Sequence, residues 1–332
     1  MSVEKIIGDW KKNIYKPIYW LEGEEEFYID IVMQHAEHHI LSPTDSEFNL
    51  SIFYGKDANW ADVLNACRRY PMFSTRQVVL LKEAQQMKDL DKLEPYISNP
   101  LSSTVFVISY KGKLDRRMKI AKAINLGAEV LISSKIPDYK LSAWANDFVD
   151  SRGFRISPRA LMLLVGHIGT DLSRIVNEFE KVLMNLAGRK DITEDDISSN
   201  VGISKEYNVF ELQQALSHKD LAKAITIIQY FESNPKAAPI QMILPALYNH
   251  FSKVMTVFQM TDRSEKALKP FFYYNSFAVK EGLATMKNYS HSGVENALLL
   301  LHAYNLKSVG INNPGISDAS LMKELAVKII GG

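Results

Sequence analysis

The chain has 332 residues, 46% of them hydrophobic and 23% charged, a composition that describes a soluble globular protein with apolar material for two or three domains. Its 39 Lys and Arg against 38 Asp and Glu leave a formal charge of +1, so overall charge argues neither for nor against nucleic acid, and any such contact must come from a local patch. Cys67 is the single cysteine, which excludes an intrachain disulfide and a cysteine-cluster zinc site and suits a reducing cytoplasm.

The opening residues MSVEKIIGDWKKN hold no long apolar core and nothing like a signal cleavage site. No stretch reaches the ~18–20 apolar residues of a membrane span. Residues 1–135 then alternate strand and helix. The strand candidates are Ile18–Leu21, Phe48–Tyr54, Val78–Leu81, Thr104–Tyr110 and Ala128–Ile132, with intervals long enough for crossover helices. Such alternation predicts a parallel, doubly wound sheet with right-handed crossovers, in which a nucleotide phosphate would sit in the loop after the first strand.

That loop reads Glu22-Gly23-Glu24-Glu25-Glu26-Phe27. A P-loop needs G-x-x-x-x-G-K-[ST], whose backbone amides and lysine wrap phosphates, whereas four glutamates repel a polyphosphate. Their place at a helix start is explained by the helix dipole. Neither Gly55-Lys56 nor Gly112-Lys113 is followed by Ser or Thr, and no G-x-G-x-x-G occurs, so no nucleotide cofactor is expected. On the following helix His35 and His39 have the i, i+4 spacing that a metal could use, with His38 beside them. A metal site needs further ligands and outer hydrogen bonds, so a histidine-rich helix face is expected and no metal. With no nucleophile elbow and no H-E-x-x-H, no catalytic residue is assigned.

Trp60–Tyr70 has helical spacing at Trp60, Val63, Leu64 and Cys67, and Gln77–Leu81 reads as a short buried strand. Between them RRYPMFSTR places Met72 and Phe73 on a helix-to-strand turn. Turns run over the surface, so an apolar pair there either folds back as a plug on the core or is offered to another protein; the residues alone favour the plug. Tyr110–Lys122, YKGKLDRRMKIAK, is the densest basic stretch and is expected to be a solvated helix face opposite Leu114, Met118 and Ala121, rather than a phosphate-binding or acidic-partner surface.

From Ile136 the periodicity is helical throughout. Ser157-Pro158 caps a helix over Arg159–Ile168. Gly169-Thr170-Asp171 opens another, with Leu172, Ile175, Val176, Phe179, Leu183 and Leu186 on one face, and Thr193 caps a third with acidic residues in its first turn. These form a helical module over 136–205. Beyond it, over 206–332, Asn208-x-x-Glu211 resembles a capping box and Asp220 caps the next helix. Pro239–Met260 carries a broad apolar face in which Pro245 should kink the helix or mark its true start. Val294–Leu306 and Leu321–Ile330 continue the pattern, as core or as subunit interface.

Taken in order, YWLEGEEEF at 19–27, RRYPMFSTRQVVLL at 68–81, KLDRRMKIAKAI at 113–124, GTDLSRIVNEFEKVLM at 169–184 and ITEDDI at 192–197 resemble the delta subunits of bacterial DNA polymerase III clamp loaders. The resemblance implies an α/β RecA-like (AAA+-like) parallel-sheet domain at 1–135, a small all-α lid domain at 136–205 and an all-α collar domain at 206–332. It implies assembly into a heteropentamer with the ATPase (gamma/tau) and delta-prime subunits, in the cytoplasm and near the nucleoid, with primed DNA held through its phosphate backbone. The family inserts an apolar pair into a hydrophobic pocket of the sliding clamp (beta), and the matching positions are Met72 and Phe73; Met in place of the more usual Leu keeps the anchor apolar and adaptable. This reverses the preference for a plug. The resemblance also implies lost nucleotide binding, since the P-loop position holds Glu22, Gly23, Glu24, Glu25 and Glu26, and the lid's Gly-x-x-Arg sensor reads Gly169-Thr170-Asp171-Leu172. The alternatives are an ATP-binding AAA+ replication protein, a sequence-specific DNA-binding protein and a scaffold that does not bind the clamp.

Overall fold

The structure, a computed structural model, describes residues 1–202, 204, 207–235, 238–272, 275–313 and 315–332. It divides into two compact units, Met1–Ile136 and Pro137–Gly332. The expected boundary at 205/206 lies outside the described residues.

The first unit runs α1 (Val3–Lys11), β1 (Ile18–Gly23), α2 (Glu26–His39), α3 (Pro43–Asn49), β2 (Leu50–Tyr54), α4 (Trp60–Arg68), β3 (Gln77–Lys82), α5 (Glu94–Ser98), β4 (Thr104–Lys111), α6 (Lys119–Gly127) and β5 (Glu129–Ser133). The strands pair in parallel in the order β2-β3-β4-β1-β5, with Ile18 opposite Phe106 and Leu50 opposite Val78. Successive side chains of a strand point to opposite faces, so each central strand feeds two cores. Ile18, Trp20, Val79, Leu81, Phe106 and Ile108 pack with α4, α5 and α6, while Tyr19, Leu21, Val78, Leu80, Val105 and Val107 pack with α1 and α2. This is the RecA-like sheet with helices on both faces.

Two expectations for this unit are corrected. Phe48 lies in a helix and not in a strand: Ser42 accepts the Asp45 amide and Pro43 takes the first helical turn, so α3 continues to Asn49 and the strand begins at Leu50. The basic stretch is not a helix face over its whole length. Helix α6 starts only at Lys119, with its Ile120 amide donating to Asp91, and Arg117 is tied to Asp115 in the preceding turn.

In the second unit α7 (Asp138–Ser151), β6 (Arg155–Ile156), α8 (Pro158–Ile168), α9 (Leu172–Met184), β7 (Asp191–Ile192) and α10 (Glu194–Val201) precede α11 (Val209–Ser217), α12 (Leu221–Ser233), α13 (Ile240–Phe258), α14 (Glu265–Leu268), α15 (Ser276–Asn288), α16 (His291–Ser308) and α17 (Asp318–Gly331). The caps fall as the residues foretold: Ser157 on α8, Asp171 on α9, Thr193 with Asp196 in a capping box on α10, and Asp220 on α12. Asn208 caps α11, while the Glu211 carboxylate is engaged by Lys223 at 2.7 Å and by Arg159. Pro245 lies inside α13, whose start is Ile240. Leu212, Leu216, Ile227, Ile228, Leu244, Phe251, Leu301 and Leu325 of α11, α12, α13, α16 and α17 form one core.

Candidate protein-docking turn

The turn between α4 and β3 is held by buried polar side chains. A helix end leaves carbonyls without intrahelical partners, and buried ones must find others. Here Gln77, at the start of β3, places Nε2 at 3.0 Å from the Ala66 carbonyl, 2.6 Å from that of Arg69 and 2.9 Å from the Thr104 hydroxyl. Thr104 and the Tyr96 hydroxyl both donate to the Cys67 carbonyl, at 2.9 and 3.0 Å. The Arg69 guanidinium donates to Ser51 on β2 at 3.0 Å, and Arg76 stacks on the Tyr15 ring at 3.9 Å.

Between these fixed ends the apolar pair stands outward. Met72 is 53% exposed and Phe73 is 99% exposed, so the ring does not plug the core. Phe73 also has φ of +54°, the left-handed region that a bulky residue rarely adopts. Such strain persists only where the surroundings impose it, and it clusters at functional positions. Asn49, the last residue of α3, supplies part of that imposition: its Oδ1 accepts the Met72 amide at 2.6 Å and its Nδ2 donates to the Met72 carbonyl at 2.9 Å. Next to it on α3, Phe48 is 63% exposed. Sequence reasoning named Met72 and Phe73 and missed Asn49, Gln77 and Phe48. The one available signal was polar residues bordering apolar strands, Asn49 before Leu50 and Gln77 before Val78.

The loop after β1 is filled from within. Glu22 is buried, accepting the Trp20 indole N–H at 2.7 Å and pairing with Arg116. Gly23, at φ of +147°, lies against the Ser133 carbonyl, whose oxygen would be 1.7 Å from an added Cβ, and its own carbonyl accepts the Gly112 amide at 2.8 Å. That bridge joins the last residue of β1 to the residue just after β4, beside the crevice where ligands of such sheets bind. At the N-terminus of α2 the Glu25 carboxylate accepts the Phe27 amide at 3.3 Å, and Ser133 Oγ donates to the Glu25 carbonyl at 2.6 Å. The place of an anion at a helix start is therefore taken by a side chain of the loop itself. Glu26 pairs with Lys111 at 2.7 Å and Glu24 with Lys113 at 3.6 Å; burial works against the Lys111 ammonium, but Glu26 and Asp30 hold it above its usual range.

His35 and His39 have ring centres 4.7 Å apart, and His35 stacks on Trp10, so packing accounts for the pair. Burial, and then His39, push the His35 pKa down. Among the described residues no three His, Cys, Asp or Glu side chains cluster as a metal would require, and no helix is long and apolar enough to cross a membrane. Leu172 is buried as the first residue of α9.

Three comparisons bear on this geometry. The sequence model of the family "DNA polymerase III, delta subunit" matches residues 19–132. The DNA polymerase III subunit delta of Bacillus subtilis (strain 168) is 23% identical over 331 aligned positions, covering 95% of this chain and 93% of the relative. The solved structure of the Bacillus subtilis DNA clamp loader delta protein matches with a TM-score of 0.55 at 21% identity, covering 99% of this chain and 100% of that one.

Proposed function

We propose, from a resemblance to DNA polymerase III delta subunits that runs along nearly the whole chain, that this protein is the delta subunit of a bacterial clamp loader. In this reading it binds and opens the ring-shaped sliding clamp for loading onto primed DNA. The observation that carries the reading is Phe73: an aromatic ring 99% exposed, in a strained conformation, on a turn secured at both ends. A ring that adds nothing to the folded core gains about 1.5–3 kcal/mol when an apolar pocket takes it from water, roughly 10- to 150-fold in affinity. Met72 beside it is a deformable second contact.

The first domain, residues 1–135, carries the clamp-binding turn; residues 136–205 form the lid and 206–332 the collar that joins the ATPase and delta-prime subunits. The chain neither binds nor hydrolyses ATP and has no catalytic site of its own: the Glu25 carboxylate takes a helix-start amide that a phosphate would use, with Ser133 bonded to the Glu25 carbonyl, and Leu172 stands where a sensor arginine would be. The mechanism is mechanical. ATP on neighbouring subunits rearranges the complex and frees the Met72–Phe73 turn, which then distorts one clamp interface so that the ring opens. Energy enters through the partners' different contacts with the two states. DNA is met in the complex through phosphates, without sequence preference, and the protein works in the cytoplasm at the nucleoid.

The test is the affinity of the purified chain for its own sliding clamp, beside a Met72→Ala/Phe73→Ala variant that stays folded by circular dichroism. Tight binding that falls at least about 100-fold in the variant supports the anchor. Equal binding by both removes the assigned site, and no binding by either leaves a scaffold in its place.

A further inference from the structure

We propose that Asn49 is a positioning residue for the docking turn: its carboxamide grips the Met72 backbone from both sides and so presets the left-handed Phe73 for insertion. This rests on the clamp-binding reading above. The two bonds, 2.6 Å from the Met72 amide to Oδ1 and 2.9 Å from Nδ2 to the Met72 carbonyl, pair one side chain with both polar groups of a single residue, 23 positions along the chain. Nδ2 also donates to the Asp45 carbonyl at 3.1 Å, which anchors the carboxamide to α3. Only one amide orientation satisfies all three bonds. Asn49 is 3% exposed, so water does not readily replace it.

No other natural side chain supplies the same grip. Aspartate keeps the acceptor for the Met72 amide but turns an oxygen toward the Met72 carbonyl; glutamine is one methylene longer; alanine offers nothing. Phe73 follows Met72 directly and its ring has no packing to hold it in the left-handed region, so its conformation is imposed through the backbone. A turn ordered before the encounter does not lose that freedom on binding, which raises affinity without adding a contact.

The experiment is a double-mutant cycle in the full chain: wild type, Asn49→Ala, Phe73→Ala and the pair, each measured for sliding-clamp affinity and for amide hydrogen exchange at Met72 in the free protein. Asn49→Ala is expected to bind about ten-fold more weakly, to lose protection at the Met72 amide and to have little further effect once Phe73 is already alanine. Asn49→Asp, which retains one bond, is expected to keep part of the exchange protection, and it replaces the alanine variant if that fails to fold. A purely structural Asn49 would give additive losses; additivity, or affinity within two-fold of wild type, overturns the proposal. A wild-type chain that does not bind the clamp overturns the clamp-binding reading and this one with it, whereas a wild type that binds and an Asn49→Ala that binds equally well overturns only this one.

Discussion

Replacing Phe73 by Asn separates folding from docking in opposite directions. The left-handed conformation costs a bulky L-residue roughly 1–2 kcal/mol, and Asn, whose short side chain bonds locally, adopts it more readily. With Phe73 99% exposed, the substitution forfeits almost no burial in the free protein. Phe73→Asn should therefore leave the first unit as stable as wild type or stabilise it by up to about 1 kcal/mol, a rise of about 3 °C in Tm for a unit of this size. Clamp affinity should fall by roughly 10- to 100-fold, because the ring is lost to the complex. The assay is urea unfolding followed by tryptophan fluorescence in a Trp144→Phe background, so that Trp10, Trp20 and Trp60 report the first unit, with titration against the clamp in parallel. A loss of stability above about 1 kcal/mol would mean that the ring packs against the protein in solution, and the argument from its exposure would fail.

Three further outcomes follow from buried groups. Gln77→Leu keeps the volume but strips the donor from the carbonyls of Ala66 and Arg69, and should lower first-unit stability by about 2–3 kcal/mol in urea; a change below about 0.5 kcal/mol would show that the network does not hold the turn. Gly23→Ala drives a methyl to 1.7 Å from the Ser133 carbonyl oxygen at a φ of +147°, and should cost about 3 kcal/mol or prevent soluble expression, as a thermal melt would record. His250, bonded through Nε2 to Ser217 at 3.2 Å and Thr285 at 2.8 Å, has its pKa pushed down to about 3 by burial, with the charge of Lys253 adding to this. Its folded value lies below the unfolded one, so the fold binds fewer protons. The stability it contributes is complete above about pH 6.5 and is lost as pH falls toward 3, about 2 kcal/mol of it by pH 5. His250→Gln should flatten that acid limb; an unchanged profile would refute the assignment.

The features legible in the chain were those written in short-range physics. The apolar runs VVLL at 78–81 and TVFVIS at 104–109 marked strands buried on both faces, and Ser157, Asp171, Thr193 and Asp220 marked helix starts, because a cap bonds an amide two or three residues away. Met72 and Phe73 could be picked out as an apolar pair on a turn. Phe48 belongs to α3 and not to β2, because the Ser42-Pro43 helix start carries the chain helically as far as Asn49 despite the strand preference of an aromatic residue. The order β2-β3-β4-β1-β5 had no local signature, since parallel neighbours are joined by crossovers and any register between apolar strands looks alike in the sequence. The basic stretch resolved into turn and helix because Asp91, 29 residues before Ile120, caps α6. Whether Phe73 folds inward or stands in water depended on Asn49 reaching Met72 and on Gln77 meeting Thr104, contacts spanning 23 and 27 residues. Composition and periodicity decide which residues leave water; the direction of a turn is set by partners that only folding brings within hydrogen-bonding distance.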